Sequence, residues 1–136
     1  MSRRDLSNRF VKDDRMIHWR VVPAADALSS GNAKDYFHVN KKIVGYKLYD
    51  IDVSVDDPSS SSGLSMQLYS MGDSSDLLST PVTIDVNEYS STSAATPPVL
   101  NSTYFILKSG DRLRADVDAN GNGAKGLVYH LYIRNY

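Results

Sequence analysis

No cysteine occurs in the 136 residues. That absence excludes a disulfide framework, a thiolate zinc site and a cysteine nucleophile, so packing alone must hold the fold. One domain of this length buries roughly two thirds of its unfolded surface and needs no covalent staple. Long apolar runs are missing too. No stretch approaches transmembrane length, and none of signal-peptide length follows Met1-Ser2-Arg3-Arg4, so neither a membrane span nor a Sec-type leader is expected. No segment shows sustained helical periodicity, and no repeat of fixed period appears. Neither sign of charge dominates: Lys+Arg 15 against Asp+Glu 16 leaves a net charge of -1. Nucleic acid is therefore not an expected partner.

What the chain does have is alternation at period two, the pattern of half-buried antiparallel strands. The last third, Ser102 to Tyr136, carries it best and reads as three consecutive antiparallel strands. Thr103–Lys108 comes first and Ser109-Gly110-Asp111 turns it. Arg112–Asp118 puts Leu113, Ala115 and Val117 on one face and charges on the other. Asn120-Gly121-Asn122-Gly123 reads as a hairpin turn, and Gly126–Asn135 runs back with Leu127, Tyr129, Leu131 and Ile133 opposite His130 and Tyr132. Upstream, Met16–Val22 is a strand closed by Pro23, Ala24–Leu28 reads as one helical turn, and Tyr36–Val39 is a short strand. Lys42–Val55 is the longest strand candidate, with Tyr49, Ile51, Val53 and Val55 on one face and Asp50, Asp52 and Ser54 on the other. Leu64–Tyr69 and Pro81–Val86 add two more. Met71–Thr80 is polar and turn-rich, and Asn87–Pro98 is a long Ser/Thr-rich loop. The expectation is an all-β, jelly-roll-like antiparallel sandwich of about eight strands over residues 16–136.

Motifs that carry chemistry are sparse. Asp116, Asp118, Asn120 and Gly121 match the opening of a calcium loop, but its closing bidentate carboxylate would fall on Leu127, so a turn reading is preferred. His18, His38 and His130 lie in separate strands without metal-site spacing on one element. There is no Gly-x-Ser-x-Gly elbow and no phosphate-binding glycine loop. Asp50 and Asp52 read as a strand's solvent face, and Asp56-Asp57-Pro58 as turn chemistry. Trp19, Tyr36, Tyr46, Tyr49 and Tyr132 could form a sugar-binding platform, against which stands the greater gain from burying aromatics in the core. No catalytic residue, metal ligand or cofactor is assigned.

Residues 1–20 carry Arg3, Arg4, Arg9, Lys12, Arg15 and Arg20 against Asp5, Asp13 and Asp14, a net +3 that leaves -4 on the remainder. Residues 1–15 read as a basic arm, poorly ordered in the free protein and ordered on an acidic surface.

This arm, the cysteine-free β body, the Ser/Thr/Pro-rich loops and the closing stretch Leu107–Leu113 and Asn120–Val128 resemble the small head decoration, or cement, proteins of tailed bacteriophages. The resemblance implies a non-enzymatic virion protein, made in the host cytoplasm and bound on the capsid surface. It implies a homotrimer whose partner is the major capsid protein. Arg3, Arg4, Arg9, Phe10, Lys12 and Arg15 would be the partner-binding residues. A receptor- or glycan-binding module of a phage tail or fibre shares the same pattern and is the alternative.

Overall fold

The structure, a computed structural model, describes residues 12–136. Eleven strand segments follow one another: β1 (Asp14–Ala27), β2 (Gly31–His38), β3 (Lys47–Ser54), β4 (Leu64–Ser70), β5 (Ser75–Asp76), β6 (Leu78–Thr80), β7 (Val82–Ile84), β8 (Val99–Leu100), β9 (Phe105–Ile106), β10 (Arg112–Asn120) and β11 (Lys125–Arg134). A 3₁₀ turn, Ser91–Ser93, lies in the long loop. One sheet, A, has the order β1-β11-β3-β9. The other, B, has β2-β10-β4-β5, with β7 also on β4, and β6 and β8 form a small ribbon. Every pairing is antiparallel. The chain alternates layers: β1 in A, β2 in B, β3 in A, β4 and β7 in B, β9 in A, β10 in B, β11 in A. That winding is the jelly roll of an all-β sandwich. The expected eight strands are its principal ones.

Alternation places the core. Leu113, Ala115 and Val117 of β10 and Leu64, Met66 and Leu68 of β4 face Trp19, Ile51, Val53, Leu127, Leu131 and Ile133 of the opposite layer, all buried. Tyr129 lies among them at 0% exposure. Its hydroxyl donates to the Gln67 carbonyl at 2.9 Å, with the Asp116 carbonyl at 3.3 Å. Trp19 packs edge-on against Tyr129, ring centres 5.2 Å apart, and donates from Nε1 to Asp35 Oδ2 at 2.9 Å. Both aromatics thus bond from sheet A to sheet B.

Polar side chains hold the loops to this frame. Gln67 stands in for a missing strand: its amide donates to the Leu78 carbonyl, and its oxygen accepts from the Leu68 and Leu78 amides, each at 3.1 Å. Buried Asp111 accepts from Ser70 Oγ and from the Gly72 and Arg112 amides. A Cβ at Gly72 would press on that carboxylate. Gly126 opens β11 at φ 72°, and a Cβ there would overlap the Asp56 carboxylate.

Four expectations need correction. The closing stretch does not form consecutive hairpins: β9 pairs with β3, β10 with β2 and β4, and β11 with β1 and β3. Asn120–Gly123 is an arch between layers, and Leu113, Ala115 and Val117 meet Leu127, Tyr129 and Leu131 across the core. Ala24–Leu28 is not helical; β1 runs on to Ala27 through a bulge between Val22 and Ala27 that absorbs Pro23 at the sheet edge. The Lys42–Val55 strand begins only at Lys47. Asn40 caps a turn there, its Oδ1 accepting from the Lys42 amide at 2.9 Å, and Gly45 turns the chain at φ 88°. A register shift opposite Tyr132 and Ile133 then sends Leu48, not Tyr49, into the core.

Sheet pairing also starts ahead of Met16. Asp13 exchanges hydrogen bonds with Asn135, and Asp14 pairs with Arg134, so Asp13, Asp14 and Arg15 belong to the body. The rest of the expected arm, apart from Lys12, lies outside the described residues.

Replacing Tyr129 by Phe keeps the shape but leaves the Gln67 carbonyl without its proton in a dry core. A loss of about 1–2 kcal/mol is expected. It should be read as a lower denaturant midpoint at unchanged slope; an unchanged midpoint would show the bridge contributes nothing.

Candidate interaction face

The outer face of sheet A gathers the side chains that the core does not use. Register sets them in rows across the strands. Asp14, Arg134, Lys47 and Ile106 form one row, Met16, Tyr132 and Asp50 the next, and His18, His130 and Asp52 the third. Around the first row the rings and cations interleave. The Arg134 guanidinium lies 4.5 Å from the Tyr49 ring centre and 5.6 Å from that of Tyr136. Lys47 lies 4.9 Å over Tyr104, and Lys12 lies 5.2 Å over Tyr136. Large apolar groups stay in water beside them: Met16 is 49%, Ile106 44% and Tyr136 42% exposed. Tyr and Arg are the residues that protein interfaces favour.

Carboxylates tie the tyrosines down. Tyr136 donates to Asp14 Oδ2 at 2.6 Å, and Tyr46 to Asp13 Oδ2 at 2.6 Å. These bonds hold both phenols above their ordinary pKa, the carboxylate bond being the leading cause in each. Asp13 is held below the usual carboxylate range by Tyr46 and then by Arg15. In the third row Asp52 takes two donors: His130 Nδ1 at 2.7 Å on one oxygen and the Tyr132 hydroxyl at 2.7 Å on the other.

One of the partner-binding residues drawn from the sequence falls here: Lys12 covers Tyr136. Arg15, the register partner of buried Ile133, lies on the other side of the sheet's edge, where it pairs with Asp13 at 2.6 Å and lies 5.2 Å from the Tyr46 ring centre. Arg3, Arg4, Arg9 and Phe10 lie outside the described residues. Met16, Tyr104, Ile106, Arg134 and Tyr136 were not singled out from sequence. Each looks ordinary alone, and only strand order makes neighbours of residues more than a hundred positions apart.

The outer face of sheet B answers two other readings. Arg114 clasps Asp116 by two bonds of 2.8 and 2.9 Å and lies 4.0 Å over Tyr69. Asp116 also accepts from the Ala33 amide at 2.9 Å and is only 2% exposed, so this expected solvent-face charge is buried. Burial pushes the neighbouring Asp118 carboxyl up, with Asp116 and Asp76 adding to it. The first carboxylate of the calcium-like run is thus already engaged by a cation. Of the proposed sugar platform, Trp19 is in the core, Tyr36 lies beneath Arg112 at 4.8 Å, and Tyr46, Tyr49 and Tyr132 are engaged as described.

The Tyr132–Asp52 bond should be visible by titration. Asp52, followed by burial, raises the Tyr132 hydroxyl from 10.0 to about 12. The folded value exceeds the unfolded one, so the bond's contribution is complete below pH 10 and is lost as pH rises toward 12. Phenolate absorbance of wild type minus Tyr132→Phe should show a midpoint near about 12 that Asp52→Asn returns toward 10. A midpoint at 10 in wild type would deny the bond. The chain matches no protein-family model, no curated protein and no solved structure.

Proposed function

We propose that this chain is a non-enzymatic virion structural protein, a decoration or cement protein that binds the head of a tailed phage and bridges capsid subunits. The carrying observation is the outer face of sheet A, where Arg134, Lys47, Tyr49, Tyr104 and Tyr136 surround exposed Met16 and Ile106. The basic segment that ends at Lys12 joins the body at this same face, where Lys12 meets Tyr136. Aromatic and apolar groups would supply buried area, and the cations orientation and encounter rate.

Two further observations favour a surface that docks over one that catalyses. A cleft of about 500 Å³ between β3 and Pro98–Thr103 offers a single carboxylate, Asp50, and that group is bonded to the Ile51 amide at 2.8 Å. The jelly roll is an architecture of capsid proteins and of lectins alike. The lectin-like reading requires open tyrosine rings, whereas Arg134, Lys47 and Arg112 cover one side each of Tyr49, Tyr104 and Tyr36. The protein acts as a symmetric trimer, each copy adding weak contacts that many copies make strong.

The test is co-sedimentation with heads assembled from the major capsid protein of the same phage. Saturable binding at a fixed ratio to capsid subunits is expected, with greater resistance of the heads to heat. Arg134→Glu and Tyr136→Ala should each weaken binding about tenfold. Removal of residues 1–11 and added salt should weaken it as well, while leaving the isolated domain's melting temperature nearly unchanged. Absence of binding, or binding indifferent to both face substitutions, overturns the assignment.

A further inference from the structure

We propose that His18 and His130 form a binding site for a late first-row divalent cation of the zinc, nickel or copper(II) class. The inference rests on three features of the third row on sheet A and not on the proposed virion role.

Spacing is the first. The two imidazoles face each other across the β1–β11 ladder as register partners, with ring centres 5.4 Å apart and planes tilted by 54°. A zinc–nitrogen bond is about 2.0–2.1 Å, and an imidazole nitrogen lies about 1.1 Å from its ring centre. Two imidazoles on one tetrahedral ion therefore have centres about 5.2 Å apart. The observed separation is within a few tenths of an ångström of that value.

The second feature is the tautomer. An ionised carboxylate only accepts, so Asp52 Oδ1, at 2.7 Å, places the proton on His130 Nδ1. The lone pair is then on Nε2, the nitrogen left for a metal. Carboxylate behind histidine is the arrangement that orients histidine ligands in metal sites and raises their basicity. Here the carboxylate is itself oriented, since the Tyr132 hydroxyl holds its other oxygen at 2.7 Å.

The third is access and rigidity. His18 is exposed, His130 is half-buried, and both sit on strands whose register is unbroken from Asp14 to Arg20. With described residues His18 makes a ring contact with His130 and no side-chain hydrogen bond, so its ring is open to ligation. Among the described residues no group of three or more His, Asp or Glu side chains is arranged to hold a metal. The pair therefore supplies two ligands and leaves the remaining positions open to solvent on the outer face. Imidazole nitrogen selects zinc, nickel and copper over magnesium and calcium, which prefer oxygen.

The experiment is calorimetric titration of the untagged full chain with Zn²⁺ and with Ni²⁺. The chain's third histidine, His38, lies on β2 in the other sheet and is the internal control. One ion per chain is expected. His18→Ala and His130→Ala should each lower the affinity by at least about tenfold, Asp52→Asn by about tenfold, and His38→Ala not at all. Imidazole nitrogen NMR should show Zn²⁺ shifting His18 and His130 but not His38, and Mg²⁺ shifting none. His18 points into water, so its replacement leaves the core intact, and circular dichroism of the variant separates lost ligation from lost folding. No saturable binding by the wild type below about 1 mM metal, binding that survives both His18→Ala and His130→Ala, or binding lost in a folded His38→Ala variant would each overturn the site.

Discussion

A tyrosine hydroxyl in a dry interior has to find a partner, and in this sandwich the partner lies on the opposite sheet. Tyr129 belongs to β11, while the carbonyls it meets belong to β4 and β10. Burial raises its pKa well above 10.0, with Asp116 and Asp118 adding to the effect, so it stays a neutral donor at ordinary pH. A hydrophobic core alone would let the two sheets slide, since apolar contact has no direction. This bond does have direction, and together with the Trp19–Asp35 bond at 2.9 Å it fixes one layer against the other. The rows on the outer face of sheet A inherit their positions from that registration.

The two outer faces use their charges differently. On sheet B, Arg114 and Asp116 neutralise each other within one strand, and the pair is largely withdrawn from water, with side-chain exposures of 17% and 3%. On sheet A the carboxylates of Asp14 and Asp52 hold tyrosines and a histidine in place, while the cations lie over rings. Sheet B's face is thus internally satisfied. Sheet A's face presents oriented side chains that a partner surface or an ion can meet without first ordering them, which lowers the entropic cost of binding.

Much of the fold was legible because alternation survives folding. Leu113, Ala115, Val117, Leu127, Tyr129, Leu131 and Ile133 lie inside as their spacing requires, and His130 and Tyr132 lie outside. Errors arose where a local signal has two tertiary meanings. Asn120-Gly121-Asn122-Gly123 supplies positive φ at Gly121 and Gly123, and a hairpin and an arch between layers both use that. Tyr49 fits the alternation better than Leu48, but a bulge resets the phase by one residue, and one residue reverses the face. Ala24–Leu28 has helix-compatible residues and no partner to form a helix against, so pairing with β11 at Ala27 prevails. Of the candidate site, Lys12 could be named from charge alone, whereas the Tyr49–Arg134 contact could not.

By itself the sequence determined that the chain is all-β, that it holds together without covalent links, and which side of each long strand faces inward. Those properties depend on neighbours within a few residues, and period two records them. Tertiary structure alone decided which strands pair. Pairing brings His18 beside His130 and Asp52, and Asp14 beside Arg134 and Lys47. Such neighbours are set by sheet order, a property of the whole chain that no local pattern encodes, because every antiparallel partner of a half-buried strand asks for the same alternation.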